Sequence, residues 1–297
     1  MGVRNKPLGR IPAAVIDDLW RGSIDMHIHP GPDPDPNAER PIDSINVAKL
    51  AQKAGMAGVV LKSFFYPTAS DAFLIQNNIT PDIAVAGSVV IAYTATGGLT
   101  YAAKTIETNA KIGCRFVWFP TMDAKHCRSY LGQEGGICIL DENGSLEPEV
   151  YDILNVIKEY DMVVASGHMS YQETTALFDA AVSMGINKMI ATHPLAELSR
   201  FTMDEIKELA AKGVYIEHVY GTLMPRLGSM DPSDYVDCIK AVGAEHCVMG
   251  TDLAQVWDVD PATGMRLFIA MMLQFGCTPE EVSLMVKENP AKLLGLK

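Results

Sequence analysis

The chain has 297 residues, 48% of them hydrophobic and 20% charged, which is typical of a soluble globular protein with a large buried core. Its net charge of −12 at pH 7 excludes nucleic acid as an expected partner, because the chain would repel a phosphate backbone. The first twenty residues lack the apolar segment of a secretion signal, and no membrane-spanning stretch follows, so we expect a cytoplasmic protein without a membrane partner.

Eight short apolar runs rich in Val and Ile recur along the chain. Such runs are typical of strands buried on both faces of a parallel sheet. In chain order they are SIDMHIHP (23–30), AGVVLKSFF (57–65), IAVAGSVVI (83–91), RFVWFPTMD (115–123), MVVASGHMS (162–170), KMIATHP (188–194), GVYIEHVY (213–220) and CVMGTDLA (247–254).

The segments between these runs have helical periodicity. Many of them end in a glycine that suits a left-handed C-cap, namely Gly55, Gly113, Gly185, Gly213 and Gly243. Three helix starts carry a possible capping box with a glutamate three residues on, at Ser170, Thr202 and Thr278.

Eight strand and helix repeats predict a (β/α)8 TIM barrel that forms a single domain over residues 1–297. A Rossmann-like open sheet is the alternative, but no G-x-G-x-x-G follows the first run. The longest gap, residues 121–150, contains a Glu-Asn-Gly sequence that is typical of a tight turn. We interpret this gap as a small inserted hairpin or lid.

Histidines and an aspartate occur where several of these runs end. His27 and His29 lie on one face of the first strand, because alternate residues of a strand point the same way, and His168, His193 and Asp252 close later runs. Active sites of α/β barrels lie at the carboxyl ends of the strands, which is where these residues occur. One buried histidine is usually a core residue, but this group predicts a metal site. Imidazole and carboxylate ligands suit Zn²⁺, while Mn²⁺, Fe²⁺ and Co²⁺ remain open.

Several motifs resemble those of the amidohydrolase superfamily of metal-dependent hydrolases: DMHIHP, SGHMS, THP, GTD and ENPAKLLGL. More narrowly, PGPD, LKSFFYPTA and SGHMS resemble the DUF6282 family, whose activity its motifs do not settle. The resemblance implies that His27 and His29 bind one metal ion, and that His168 and His193 bind a second ion or share the first. It also implies that Asp252 binds metal and takes a proton from the attacking water.

The position of the lysine departs from the commoner superfamily pattern. Binuclear members resemble one another in a carboxylated lysine at the end of strand four, where this chain has Asp123, with Lys125 already in the loop. Lys62, at the end of the second run, is the in-strand lysine at the matching edge. It could be a carbamylated metal bridge, an unmodified cation that holds an anionic substrate group, or a structural lysine. The number of metal ions, one or two, is open for the same reason.

Other polar residues near this edge are candidates for substrate binding. Glu217 and His218 finish the seventh run, and Glu217 could pair with Lys62 or meet the substrate. Predicted loops at the edge carry further side chains that could bind a substrate carboxylate: Tyr66, Arg40, Arg128, Arg200 and Arg226.

These observations predict a metal-dependent hydrolase that cleaves a C–N or C–O bond of a small, anionic molecule such as an amide, cyclic amide, ester or lactone. A phosphoesterase of the PHP type and a decarboxylase with one metal ion share much of the same ligand set. A protein that binds no metal and serves as a binding module or scaffold is the non-enzymatic hypothesis. We expect a small-molecule substrate as the partner, and a homo-oligomer.

Overall fold

A computed structural model of the chain describes residues 11–34, 40–224 and 230–296. Arg226, one of the predicted substrate-binding candidates, lies outside these ranges. All eight predicted runs form strands: β1 (Ile24–Ile28), β2 (Gly58–Leu61), β3 (Ala84–Val90), β4 (Cys114–Trp118), β5 (Val163–Ala165), β6 (Met189–Ala191), β7 (Tyr215–Val219) and β8 (Cys247–Gly250).

Helices separate the strands, as the periodicity predicts. They are α1 (Ala13–Trp20), α2 (Ser44–Ala54), α3 (Ala69–Asn78), α4 (Tyr93–Thr96), α5 (Ala102–Ala110), α6 (Lys125–Tyr130), α7 (Pro148–Glu159), α8 (Tyr171–Ser183), α9 (Met203–Ala211), α10 (Pro232–Val242), α11 (Pro261–Phe275), α12 (Pro279–Ser283) and α13 (Asn289–Leu294). Within the described ranges, none of these helices combines the length and apolar character that crossing a membrane requires.

The predicted capping boxes are confirmed, and one of the five predicted glycines is a left-handed C-cap. Ser170, Thr202 and Thr278 each accept a hydrogen bond from the backbone N–H of the glutamate three residues on, in a complete capping box. All five predicted C-terminal glycines have positive φ, and Gly55 is the left-handed C-cap of α2 with a φ of 75°.

The strands form one sheet in chain order from β1 to β8, and each pairing with a resolved register is parallel. The last strand also returns to the first, because Ile28, the last residue of β1, bridges in parallel with Leu253, which lies three residues after β8. This strand order is that of a (β/α)8 TIM barrel, so the predicted fold class is confirmed.

The contacts divide the chain into two compact units. The first unit comprises residues 1–61, 75–85 and 217–297, and its core includes Met26, Val60 and Val248. The second unit comprises residues 62–74 and 86–216, and its core includes Phe116 and Ile190. The single-domain boundary of 1–297 stays a prediction.

The segment between β4 and α7 contains the predicted hairpin. Leu140 and Leu146 form an antiparallel bridge around the turn. The carboxylate of Asp141 stabilises this turn, because its Oδ1 accepts hydrogen bonds from the backbone N–H of Asn143 at 2.8 Å and of Ser145 at 2.9 Å. The function of this hairpin as a lid stays a prediction.

Candidate metal centre

Three predicted metal ligands converge in the first unit. Nε2 of His27 lies 3.1 Å from Nε2 of His29 and 3.3 Å from Oδ1 of Asp252. Nε2 of His29 lies 2.9 Å from the same aspartate oxygen. Among the described residues, these three form the group of potential ligands whose atoms all lie within 4.8 Å of one another. The structure therefore brings together residues that are more than 220 positions apart in the chain.

The donor set fits a divalent transition metal. Ligands bound tetrahedrally at about 2.0 to 2.1 Å from a zinc ion lie about 3.3 Å from one another. The measured separations of 2.9 to 3.3 Å are close to this spacing. Two imidazoles and one carboxylate are also a ligand set of catalytic zinc sites, which keep a further position open for water or substrate. His27, His29 and Asp252 are therefore the residues that would hold the ion.

Backbone hydrogen bonds between β1 and the end of β8 set the spacing of the ligands. The N–H of Asp252 donates to the carbonyl of His27 at 2.7 Å, and the N–H of His29 donates to the carbonyl of Leu253 at 2.9 Å. Asp252 itself has a φ of 54°, a left-handed conformation that an aspartate adopts only at a cost in free energy. The surrounding contacts therefore hold this carboxylate in place against its own backbone preference.

A second carboxylate, that of Asp25, lies beneath the ligands and is fully buried. It accepts hydrogen bonds from the backbone N–H and the hydroxyl of Thr251, and from the backbone N–H of His27 at 3.2 Å. Burial raises the pKa of Asp25 to about 7, although these hydrogen bonds act in the opposite direction. Asp25 lies on the same face of β1 as the two histidines, because alternate residues of a strand point the same way.

Glu217, on β7, contacts the other side of the His27 ring. Its Oε1 lies 3.1 Å from Nδ1 of His27, and both side chains are completely buried. The sequence predicted that Glu217 would meet the substrate or pair with Lys62. The contact with His27, a candidate metal ligand, is one that the spacing of residues along the chain did not indicate.

His218, the next residue on β7, lies in a core environment. Its ring packs against Tyr235 of α10, with the ring centroids 4.7 Å apart. Neither ring nitrogen has a hydrogen-bond partner among the described residues, and burial lowers the pKa of His218 to about 3. These surroundings fit a neutral packing residue, and the predicted function of His218 in substrate binding finds no support in its contacts.

In the second unit, the structure brings His168 and His193 together. Their ring centroids are 5.0 Å apart, and both residues are buried. The backbone N–H of His168 donates to the carbonyl of Pro120 at 2.9 Å, while His193 has a φ of 25°. The proximity of the two rings agrees with a shared function, and their binding of metal stays a prediction.

Lys62 is buried at the end of β2, also in the second unit. Its Nζ lies 4.0 Å from the ring centroid of Trp118 and 5.4 Å from that of Phe64. An ammonium group is attracted to the negative face of an aromatic ring, whereas a negatively charged carbamate is repelled by it. These contacts favour an ammonium over a carbamate, and they fit both a substrate-binding cation and a structural lysine. Tyr66, four residues further on, is half-buried in the loop before α3.

The described loop arginines already have partners. Arg40 forms an ion pair with Asp33, whose Oδ2 lies 2.6 Å from its Nη2, and both side chains are at least nine-tenths buried. Arg200 is exposed and forms an ion pair with Glu197. Nε of Arg128 donates to a backbone carbonyl of its own loop at 2.9 Å. Binding of a substrate carboxylate by Arg200 or Tyr66 stays a prediction.

Solved structures of similar fold cover almost the whole chain. An amidohydrolase from Pseudomonas aeruginosa is 12% identical with a TM-score of 0.64, and the match covers 96% of this chain and 98% of that protein. A putative 2-pyrone-4,6-dicarboxylic acid hydrolase from Pseudomonas putida is 15% identical with a TM-score of 0.60, covering 92% and 97%. For 2,6-dihydroxybenzoate decarboxylase from Rhizobium the identity is 12%, the TM-score 0.51 and the coverage 93% and 99%. At these identities the likeness shows the fold.

The search for sequence relatives gave one family. No protein of curated function matched the chain. The profile of DUF6282, described as a family of unknown function, matches residues 22–217. This range contains β1 to β6, both predicted histidine pairs and Lys62, and it spans more than half of the chain. The chain therefore belongs to the DUF6282 family, and its fold is that of amidohydrolases.

Proposed function

We propose that the protein is a metal-dependent hydrolase that cleaves a C–N or C–O bond of a small, anionic molecule. The convergence of His27, His29 and Asp252, with buried donor atoms at the spacing of metal ligands, is the observation that carries this proposal. The similarity to the Pseudomonas putida protein supports a substrate with carboxylate groups, since a pyrone dicarboxylic acid is an anionic cyclic ester.

The three residues have distinct tasks in this proposal. His27 and His29 both present Nε2 to the metal position. They bind as neutral imidazoles, because a metal ion takes the lone pair of that nitrogen. When bound, a divalent ion such as Zn²⁺ lowers the pKa of water to about 7 and polarises the bond to be cleaved. The side chain of Asp252 is 10% exposed, against 2% or less for the two histidines. It is the ligand that water can reach, and it accepts the proton that hydrolysis releases.

We further propose that the first unit holds one ion and that Lys62 remains an ammonium. Three protein ligands are sufficient for one catalytic zinc ion. The aromatic face of Trp118 stabilises positive charge at Nζ of Lys62 and does not stabilise a carbamate.

A decarboxylase with one metal ion is the second candidate function. The similarity of the fold to the Rhizobium decarboxylase over 93% of this chain is the observation that supports it. The hydrolase and the decarboxylase differ in their products. Release of CO₂ from an aromatic or cyclic carboxylic acid without consumption of water would support the decarboxylase, while opening of an ester, lactone or amide would support the hydrolase.

Metal analysis tests the proposal directly. Protein purified without chelator, and then supplied with Zn²⁺ and desalted, should contain about one equivalent of metal. H29Q and D252N should lose most of this metal. H246Q is the matched control, since His246 precedes β8 and lies outside the ligand group. Less than about half an equivalent in the wild-type protein would contradict every metal-dependent version of the function. A panel of lactones, esters and amides with carboxylate groups then identifies the bond.

A further inference from the structure

The ring of His27 has contacts at both nitrogens, and they differ in kind. Nε2 faces His29 and Asp252, as described above, while Nδ1 lies 3.1 Å from Oε1 of Glu217. A metal-binding imidazole uses the lone pair of one nitrogen, and its other nitrogen carries a proton that needs an acceptor. An ionised carboxylate can only accept, so with Glu217 ionised the contact requires a proton on Nδ1 of His27.

Gly250 lies beside this contact and leaves room for the His27 side chain. β8 lies between β7 and β1 in the sheet, so the side chains of Glu217 and His27 meet across the backbone of β8. A Cβ atom at Gly250 would lie 3.0 Å from Cβ of His27 and 3.6 Å from Oε1 of Glu217. The atom at 3.0 Å belongs to the base of the His27 side chain, which cannot move without its backbone. A residue without a side chain therefore keeps the space above β8 open for the two groups.

The position of Glu217 also separates its role from that of a ligand or a substrate-binding group. Its side chain has no solvent exposure, and it is outside the ligand group of His27, His29 and Asp252. Glu217 meets that group at the far side of the His27 ring, away from the position that the three ligands share. Its effect on the site is therefore indirect.

We propose that Glu217 is a positioning residue that holds His27 as the tautomer protonated at Nδ1, so that the lone pair of Nε2 points to the metal position. The role of this tautomer rests on the proposed function, because it serves to bind metal. The tautomer itself is a property of the metal-free protein. A carboxylate behind a metal-binding histidine fixes the orientation of the ring and makes it a stronger donor to the ion.

Two substitutions separate the charge of Glu217 from its shape. E217Q keeps the size and one acceptor oxygen but loses the negative charge, whereas E217M removes the acceptor altogether. The dissociation constant for Zn²⁺, measured by competition with a chromophoric chelator, should increase about 10- to 100-fold in E217M, and by a smaller factor in E217Q. E142Q, at an exposed glutamate of the hairpin, is the matched control and should leave metal affinity unchanged.

The tautomer is read independently of metal. In metal-free protein labelled with ¹⁵N-histidine, the long-range ¹H–¹⁵N spectrum distinguishes protonated from unprotonated ring nitrogens, and the signals of His27 are assigned by their loss in H27Q. Wild-type protein should show Nδ1 protonated, and E217M should shift His27 toward the tautomer protonated at Nε2. G250A should change the same signals, since it disturbs the same contact from β8.

The outcomes distinguish this inference from the proposed function. If wild-type protein binds no metal but shows the Nδ1–H tautomer, the proposed function fails and the positioning by Glu217 stands. If metal binds but His27 is protonated at Nε2, the inference is wrong. It is equally wrong if E217M and E217Q, folded by circular dichroism, keep wild-type affinity and the wild-type tautomer. Should E217M not fold, E217Q and G250A carry the same comparison.

Discussion

The carboxylate of Asp25 accepts two hydrogen bonds from Thr251, one from the backbone N–H at 2.8 Å and one from the hydroxyl at 2.6 Å. Asp25 lies on β1 two residues before His27, and Thr251 immediately precedes Asp252. This contact joins the strand that carries two of the candidate ligands to the segment that carries the third. The relative position of the ligands thus depends on residues that are not ligands themselves.

Removal of the Thr251 hydroxyl should weaken this connection. T251V keeps the shape of the side chain and the backbone N–H but leaves one oxygen of a buried carboxylate without its donor. We expect the free energy of unfolding to fall by about 1 to 3 kcal/mol, as measured by urea denaturation. T251S keeps the hydroxyl and should lose less. Equal stabilities of T251V and wild-type protein would show that the hydroxyl contributes nothing.

Gly167 should tolerate no side chain. It has a φ of 62°, and a Cβ atom there would lie 2.2 Å from the carbonyl oxygen of Phe119 and 2.4 Å from that of Pro120. G167A should therefore destabilise the protein by more than about 3 kcal/mol, since backbone atoms must move. At Gly185, with a φ of 79°, a Cβ atom would have no neighbour within 4 Å. G185A should cost only about 1 to 2 kcal/mol, from backbone strain.

Urea denaturation of G167A and G185A separates the cost of the steric clash from the cost of backbone strain. Both substitutions introduce the same methyl group at a left-handed position, and only the one at Gly167 clashes. A similar loss of stability in both variants would contradict the steric argument at Gly167. Because His168 follows Gly167, we also expect G167A to change the His168 signals in a ¹H–¹⁵N spectrum.

His218 should make the protein less stable in acid. Its pKa falls from 6.5 to about 3 on folding, so between these pH values the unfolded chain binds a proton that the native protein does not. The free energy of unfolding therefore decreases as the pH falls from about 6.5 toward 3, by at most about 1.4 kcal/mol per pH unit for one group. H218F removes the titrating group but keeps an aromatic ring against Tyr235.

The measurement is the difference in unfolding free energy between H218F and wild-type protein, taken at several pH values. This difference is needed because Asp25, whose pKa rises from 3.8 to about 7, contributes a slope of opposite sign over an overlapping range. The stability of H218F relative to wild-type protein should increase as the pH falls below 6.5. A difference that does not vary with pH would show that His218 titrates normally in the native state.

Lys62 should not carry a carbamate. If the ammonium against Trp118 is the resident form, removal of CO₂ and bicarbonate during purification should change neither the metal content nor the activity. Protein incubated with ¹³C-bicarbonate should show no carbamate carbon signal that disappears in K62R. Such a signal, or recovery of metal binding on addition of bicarbonate, would assign the carbamate instead.

The strands were predictable because each strand is a short apolar run. The candidate ligands of the first unit were predictable because histidines and an aspartate interrupt those runs. The contact between Glu217 and His27 was not, since it joins side chains of two strands that are 190 positions apart in the chain. A signal did exist for separating Glu217 from His218: neighbouring residues of a strand face opposite sides, so the two could not serve one site. The Lys62 contact with Trp118 joins two strands, and no local pattern encodes it.

The first unit is built from segments that are far apart in the chain, and this affects its biosynthesis. Its segments, residues 1–61, 75–85 and 217–297, come from both ends of the chain, and the amide of Asn289 in α13 donates to the carbonyls of Ala244 and Cys247 at the start of β8. As the ribosome extends the polypeptide, His27 and His29 emerge long before Asp252, and β8 gains this anchor only once α13 has been translated. The nascent chain thus carries His27 and His29 without Asp252 until translation has passed β8.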